Sequence, residues 1–120
     1  MADFTASLAV RNAGATFNLL AMQDSQTVAM DVADERFALL IENNNDSVAV
    51  NTATITIAPG GFLANVLGTL SVDVADGGSC KTIALEGARF KSTASKITVG
   101  CSVTQSGTVS SVKMGIVKLP

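Results

Sequence analysis

The chain reads as all-β: a β-sandwich of jelly-roll or immunoglobulin-like type, with about eight short antiparallel strands and little or no helix. Three observations carry that expectation. Apolar residues recur at every second position in several short runs. Clusters of Gly, Asn and Asp separate those runs at intervals of roughly 8–12 residues. No stretch sustains the apolar spacing of a long helix. At 120 residues the chain forms one domain, 1–120, large enough for a single core. Residues 1–26 are the least patterned and read as an N-terminal arm or as edge strands.

The clearest run is Arg36 to Gly60. Phe37, Leu39 and Ile41 alternate with Ala38, Leu40 and Glu42, and Asn43-Asn44-Asn45-Asp46 then breaks the pattern. Val48 to Ile57 resumes it with alternating Thr and Ile, β-branched side chains that suit a pleated surface. Two strands around a tight polar turn form the expected β-hairpin, which Pro59-Gly60-Gly61 ends.

Upstream, Leu8-Ala9-Val10 reads as a short strand and Thr16 to Leu20 as a second strand or a partly helical piece. From Gln26 to Val32, Val28, Met30 and Val32 share one face of a strand. Beyond the hairpin, Phe62 to Leu70 spaces Phe62, Val66 and Leu70 four apart, but Gly68 interrupts, so a loop with a buried anchor is the preferred reading. Thr69–Ala75 alternates Leu70, Val72 and Val74 inward, Asp76-Gly77-Gly78 turns the chain, and Ser79–Leu85 is the next strand. Arg89-Phe90-Lys91 looks like an aromatic anchor between two cations whose stems lie along apolar surface. Lys96–Thr104 places Ile97, Val99, Cys101 and Val103 on one face, and the last strand, Val109–Leu119, shares Val112, Met114 and Ile116.

Composition narrows the function classes. Net charge is −2 and the eight Lys and Arg are scattered, so no basic face offers itself to phosphates, and without Trp or Tyr only five Phe remain for base stacking. Nucleic acid is not an expected partner. Mean hydropathy is +0.41, yet no apolar run reaches the roughly 18 residues of a membrane helix, so a membrane is not expected either. The N-terminus lacks a basic segment and a continuous apolar core, which reads as no signal peptide and as synthesis in a cytosol. Charged residues make up 15%, well below the usual quarter. Such a surface suits cover by another subunit, although a thin sandwich with many surface Ala and Thr has the same composition.

Catalysis finds little support. The chain has no His, which removes the commonest general base and the Ser-His and Cys-His nucleophile pairs. Asp31, Asp34 and Glu35 form the one local acid cluster, but without the spacing of a calcium loop they read as a solvated turn. Gly60-Gly61 and Gly77-Gly78 read as turn glycines, since no phosphate-loop pattern surrounds them. Cys80 and Cys101 fall on different strands. Two buried free thiols are the first reading, in keeping with a reducing cytosol, and a disulfide formed after release from the cell is the second. No enzyme activity, cofactor or metal is expected.

With the strands placed, FALLIENNN, ATITIAPG, LSVDVADGGSCKTIALEGARFK and VKMGIVKLP, spread over residues 27–120, resemble small all-β virion proteins of tailed bacteriophages that decorate or cement the capsid. The resemblance implies a structural virion protein that is made in the host cytoplasm, sits on the capsid surface, binds the major capsid protein lattice as a homo-oligomer and performs no chemistry. A tail, neck or fibre-base subunit and a lectin-like binding module are the alternatives, the latter weakened because sugar sites favour exposed Trp or Tyr. The expected contacts lie in loops and edges: Phe4, Leu8 and Phe17 in the N-terminal segment, Asn44 in the polar turn, Phe62, Leu63 and Val66 in the connection, and Arg89 in the anchor.

Overall fold

Alternation inside each run sorts the side chains into a buried set and a solvated set, and two sheets closing over the buried set follow from it. The computed structural model describes residues 2–4 and 6–120. Among these, β1 (Ala2–Phe4), β2 (Ser7–Leu8), β3 (Leu20–Ala21), β4 (Ser25–Ala29) and β5 (Phe37–Asn43) precede β6 (Ala53–Ile57), β7 (Leu70–Val74) and β8 (Ser79–Ile83). A single helical turn, α1 (Gly87–Phe90), leads to β9 (Lys96–Val103) and β10 (Val112–Lys118). One sheet has the order β1-β4-β9-β6-β7; the other is β2-β10-β5-β8, with β3 also paired to β10. The fold is an all-β sandwich, as expected, measuring 40 × 40 × 21 Å.

Between the sheets, Leu39 and Ile41 of β5 and Met114 and Ile116 of β10 pack with Ile55 and Ile57 of β6 and Ile97 and Val99 of β9. Each is buried, and each contributes on the order of 1.5–3 kcal/mol of transfer free energy. The alternation expected for β4, β5, β6, β9 and β10 is the alternation found.

The expected hairpin is not formed. β5 and β6 lie in opposite sheets: β5 pairs with β10 and β8, while β6 pairs with β9 and β7. Alternation says only that one face of each strand is apolar, and strands facing one another across a core satisfy it as well as strands side by side. Asn43 and Asn45, read as turn residues, are instead buried at a crossover between sheets.

Two pairings depart from the antiparallel expectation. β1 runs parallel to β4 and β2 parallel to β10, so the N-terminal chain edges first one sheet and then the other. The strand expected at Leu8–Val10 shrinks to Ser7–Leu8, and of Thr16–Leu20 only Leu20 enters a strand. Phe4 belongs to the core, 7% exposed, which removes it from the surface contacts.

The glycine pairs divide. Gly77 and Gly78 have φ of 74° and 85°, the left-handed region expected of turn glycines. Gly60 has no such angle; its backbone presses on the chain at Phe90-Lys91, and a Cβ there would lie 2.6 Å from the Lys91 carbonyl carbon. Close approach, more than turning, requires Gly60.

Candidate assembly contacts at two ends of the sandwich

Strand β6 fixes two ends of the molecule. The crossover of residues 44–52 precedes Ala53, and the connection of residues 58–69 follows Ile57 and leads into β7, which runs back alongside β6. Both segments expose apolar side chains, and both are held by hydrogen bonds.

In the connection, Leu63–Leu67 forms a 3-10 turn with no buried residue. This overturns the expected buried anchor: Leu63 is 90% exposed, Val66 81% and Phe62 45%. Spacing of four suggested one inward face, but Gly68, at φ 79°, ends the turn before a second could form. The anchoring comes from outside. Asn65 Nδ2 donates to the Gly60 carbonyl (2.8 Å), and the Arg89 guanidinium donates to the Gly68 and Leu67 carbonyls (3.3 Å each). Arg89 lies 4.7 Å from the centroid of the Phe90 ring, which is itself buried. The Arg-Phe anchor expected from sequence therefore exists, and it braces the connection.

At the opposite end, Val48 is 95% exposed and Val50 72%. Asp46 Oδ1 accepts the Val48 N–H (3.2 Å), Asn51 Nδ2 donates to the Asp46 carbonyl (2.9 Å), and Asp76 Oδ2 accepts the Asn51 N–H (2.9 Å). Thr104 Oγ1 donates to the Val50 carbonyl (2.9 Å) and accepts from the Thr52 N–H (3.0 Å). Asn44, expected as a contact, is exposed beside this tip, but its Nδ2 donates to Glu42 of β5. Sequence reasoning placed Val48 and Val50 in a strand and missed both. Asp46-Ser47 was the available signal, because an Asp carboxylate that captures the N–H two residues ahead turns the chain out of strand geometry.

The N-terminal segment supplies a third apolar region. Leu8 and Val10 are exposed, and Phe17 is half-exposed over Gly115 of β10, where a Cβ would lie 2.9 Å from Phe17 Cε1. Together with Val117 they line an open groove of about 180 Å³. Leu8 and Phe17 are thus accessible as expected.

Asp31 is bound to Lys118 Nζ (2.5 Å), and that bond holds its carboxyl below the usual range. Among the described residues no three His, Cys, Asp or Glu side chains gather as metal ligands. Cys80 on β8 and Cys101 on β9 lie in different sheets, and both are free thiols, so the reading as a strand-to-strand disulfide is corrected. The expectation that both thiols are buried is also amended, because Cys80 is exposed. Burial pushes the Cys101 thiol up to about 11; lost hydration and the Glu42 carboxylate raise that of Cys80. A thiol reagent at pH 8 should therefore label one cysteine, Cys80, in the folded protein and both after denaturation, as counted by mass spectrometry. No protein-family model, curated protein or solved structure matches the chain.

Proposed function

We propose that this chain is a structural virion protein, a capsid decoration or cement subunit on the outer surface of a tailed-phage head, with the major capsid protein lattice as its partner. The observation that carries the reading is the Phe62–Leu67 connection. Its apolar side chains are exposed, and it is braced from below by Arg89 and Asn65. A surface already ordered before contact loses little side-chain and loop entropy on binding, and the ordering cost of a floppy loop is avoided. The thin plate-like shape also suits a tile lying against a shell. Function on this reading is adhesion, with no catalytic step.

A tail, neck or fibre-base subunit is the second reading, favoured by β8, which forms the outer edge of its sheet. That edge, however, carries Lys81 in register with the inward-facing Ile41, and an inward-register lysine on an edge strand opposes pairing with another strand. The capsid reading is therefore preferred.

Purified protein should co-sediment with empty phage shells, and cryo-electron microscopy should show it at regular positions on the outer surface. Leu63→Glu with Val66→Glu should abolish co-sedimentation while the circular dichroism of the isolated protein stays unchanged, because both positions are solvent-exposed. Protein left in the supernatant, or density confined to the tail, would discard the capsid reading.

A further inference from the structure

We infer that the N-terminal arm is exchanged between two copies of this chain: β1 and β2 of one copy pair with β4 and β10 of the second, which returns its own arm to the first. The partner is a second copy, so the exchange holds with or without a shell.

The rest of the molecule builds the slot that receives the arm. β1 adds to β4 in register from Ala2 opposite Gln26 to Phe4 opposite Val28, β2 adds to β10 at Val117 and Lys118, and Phe4 enters the core. An identical arm from a second copy makes the same ladders and fills the same Phe4 site. Exchange therefore gives up only contacts of the loop that follows, the Ala9 N–H bond to the Lys118 carbonyl (2.8 Å) and Phe17 against Gly115. This is the condition under which swapping an element is a low-cost route to a dimer.

That loop has the character of a hinge. β5 pairs with β10 along its whole length, so β2 and β3 share the opposite edge of β10. Because β2 runs parallel to β10 and β3 antiparallel to it, the chain must reverse between Leu8 and Leu20. The reversal buries nothing: residues 10–18 are all exposed. It also holds Asn12 at φ 56°, a left-handed conformation that costs energy in any residue with a Cβ. Opened, residues 9–19 reach about 36–40 Å, which matches the 40 Å width of the molecule. Opening also releases the cost at Asn12.

The hinge carries what the exchanged pair gains. Leu8, Val10, Phe17 and Leu20 lie along it or at its ends and are all exposed in the closed chain. In a reciprocal exchange the two hinges cross beside the two-fold axis, where these side chains meet their counterparts and leave water. A closed copy cannot bury them in this way.

Disulfide trapping tests the exchange. In a Cys80→Ser background one variant carries Asp3→Cys and the other Thr27→Cys, positions in register between β1 and β4, while Cys101 stays buried. Incubated together at about 1 mM, where weak contacts associate, and then oxidised, the two should give a mixed disulfide dimer in clear excess over homodimers of either variant, as identified by mass. A mixed dimer no more abundant than the homodimers would overturn the inference.

An independent readout comes from the reversal itself. Asn12→Pro cannot adopt the left-handed angle and blocks the turn, whereas Asn12→Gly adopts it without cost. In sedimentation velocity of the otherwise unaltered chain, the proline variant should show a several-fold higher dimer fraction and the glycine variant a several-fold lower one. Position 12 is exposed, and circular dichroism checks both folds. A chain that is monomeric throughout, or a dimer fraction that the two variants do not move in opposite directions, would likewise refute arm exchange.

Discussion

Replacing Asn43 with alanine should lower the free energy of unfolding by about 3–5 kcal/mol, near the upper end for a single substitution. Asn43 is fully buried at the end of β5, where the chain leaves one sheet for the other. Its Nδ2 donates to the Asn51 carbonyl (2.8 Å) and to the Val74 carbonyl (3.0 Å), while its Oδ1 accepts from the Asn45 N–H (3.1 Å) and Asn45 Nδ2 (2.8 Å). Alanine removes all four bonds; Asn45 Nδ2 keeps the Thr108 carbonyl (3.1 Å), but the Asn51 carbonyl and the Asn45 N–H lose the Asn43 side chain in the interior, and each buried group so deprived costs about 1–3 kcal/mol. Asn43→Asp is the informative companion. It keeps the acceptor but loses the donor, so a carboxylate oxygen would face the carbonyls of Asn51 and Val74. Urea unfolding should place both variants well below the unaltered chain. A loss under about 1 kcal/mol for alanine would mean that water enters and replaces the network.

A second large loss is expected at Gly60. Its backbone N–H donates to the Arg89 carbonyl (2.9 Å) and the neighbouring Gly61 N–H to the Lys91 carbonyl (3.1 Å), which draws the two segments together. An alanine Cβ at 60 would sit 2.6 Å from the Lys91 carbonyl carbon and 2.7 Å from that of Phe90. Both neighbours are backbone atoms, and no side-chain rotation relieves the clash. Gly60→Ala should therefore destabilise by about 2–3 kcal/mol. Because Arg89 and Asn65 brace the connection through this junction, hydrogen exchange should also accelerate across residues 62–68. Gly77→Ala provides the contrast: the space above it is crowded only by the Ser47 hydroxyl (2.8 Å), which can rotate away, leaving the cost of a positive φ. A loss at Gly60 no larger than at Gly77 would contradict the close-approach account.

The same features show where sequence reading succeeded. Period-two alternation identified the inward residues of β5, β6, β9 and β10 because burial on one face of a strand is a local property, visible within five to eight residues. Arg89-Phe90 was legible as an anchor because a lone aromatic between cations packs the same way in most settings. Pairing was not legible. A run such as Phe37–Asn43 carries no label for its neighbour, and the adjacency of Val48–Ile57 in the chain suggested a partner that the structure assigns to the other sheet.

The surface contacts divide by the same physics. Leu63 and Val66 were marked as contacts by their apolar character, but four-residue spacing also favoured burying part of that segment; only the positions of Gly68 and Arg89 in space put it at the surface. Phe4 went the other way, into the core, because β1 adds to β4 as a parallel edge strand. Composition and alternation thus determined the class of fold and the identity of most of its core, since hydrophobic burial depends on residue type and on a period of two. Strand order, the crossover at Asn43 and the two apolar ends were decided by contacts between residues far apart in the chain. No local pattern encodes which of several equally apolar faces meets which.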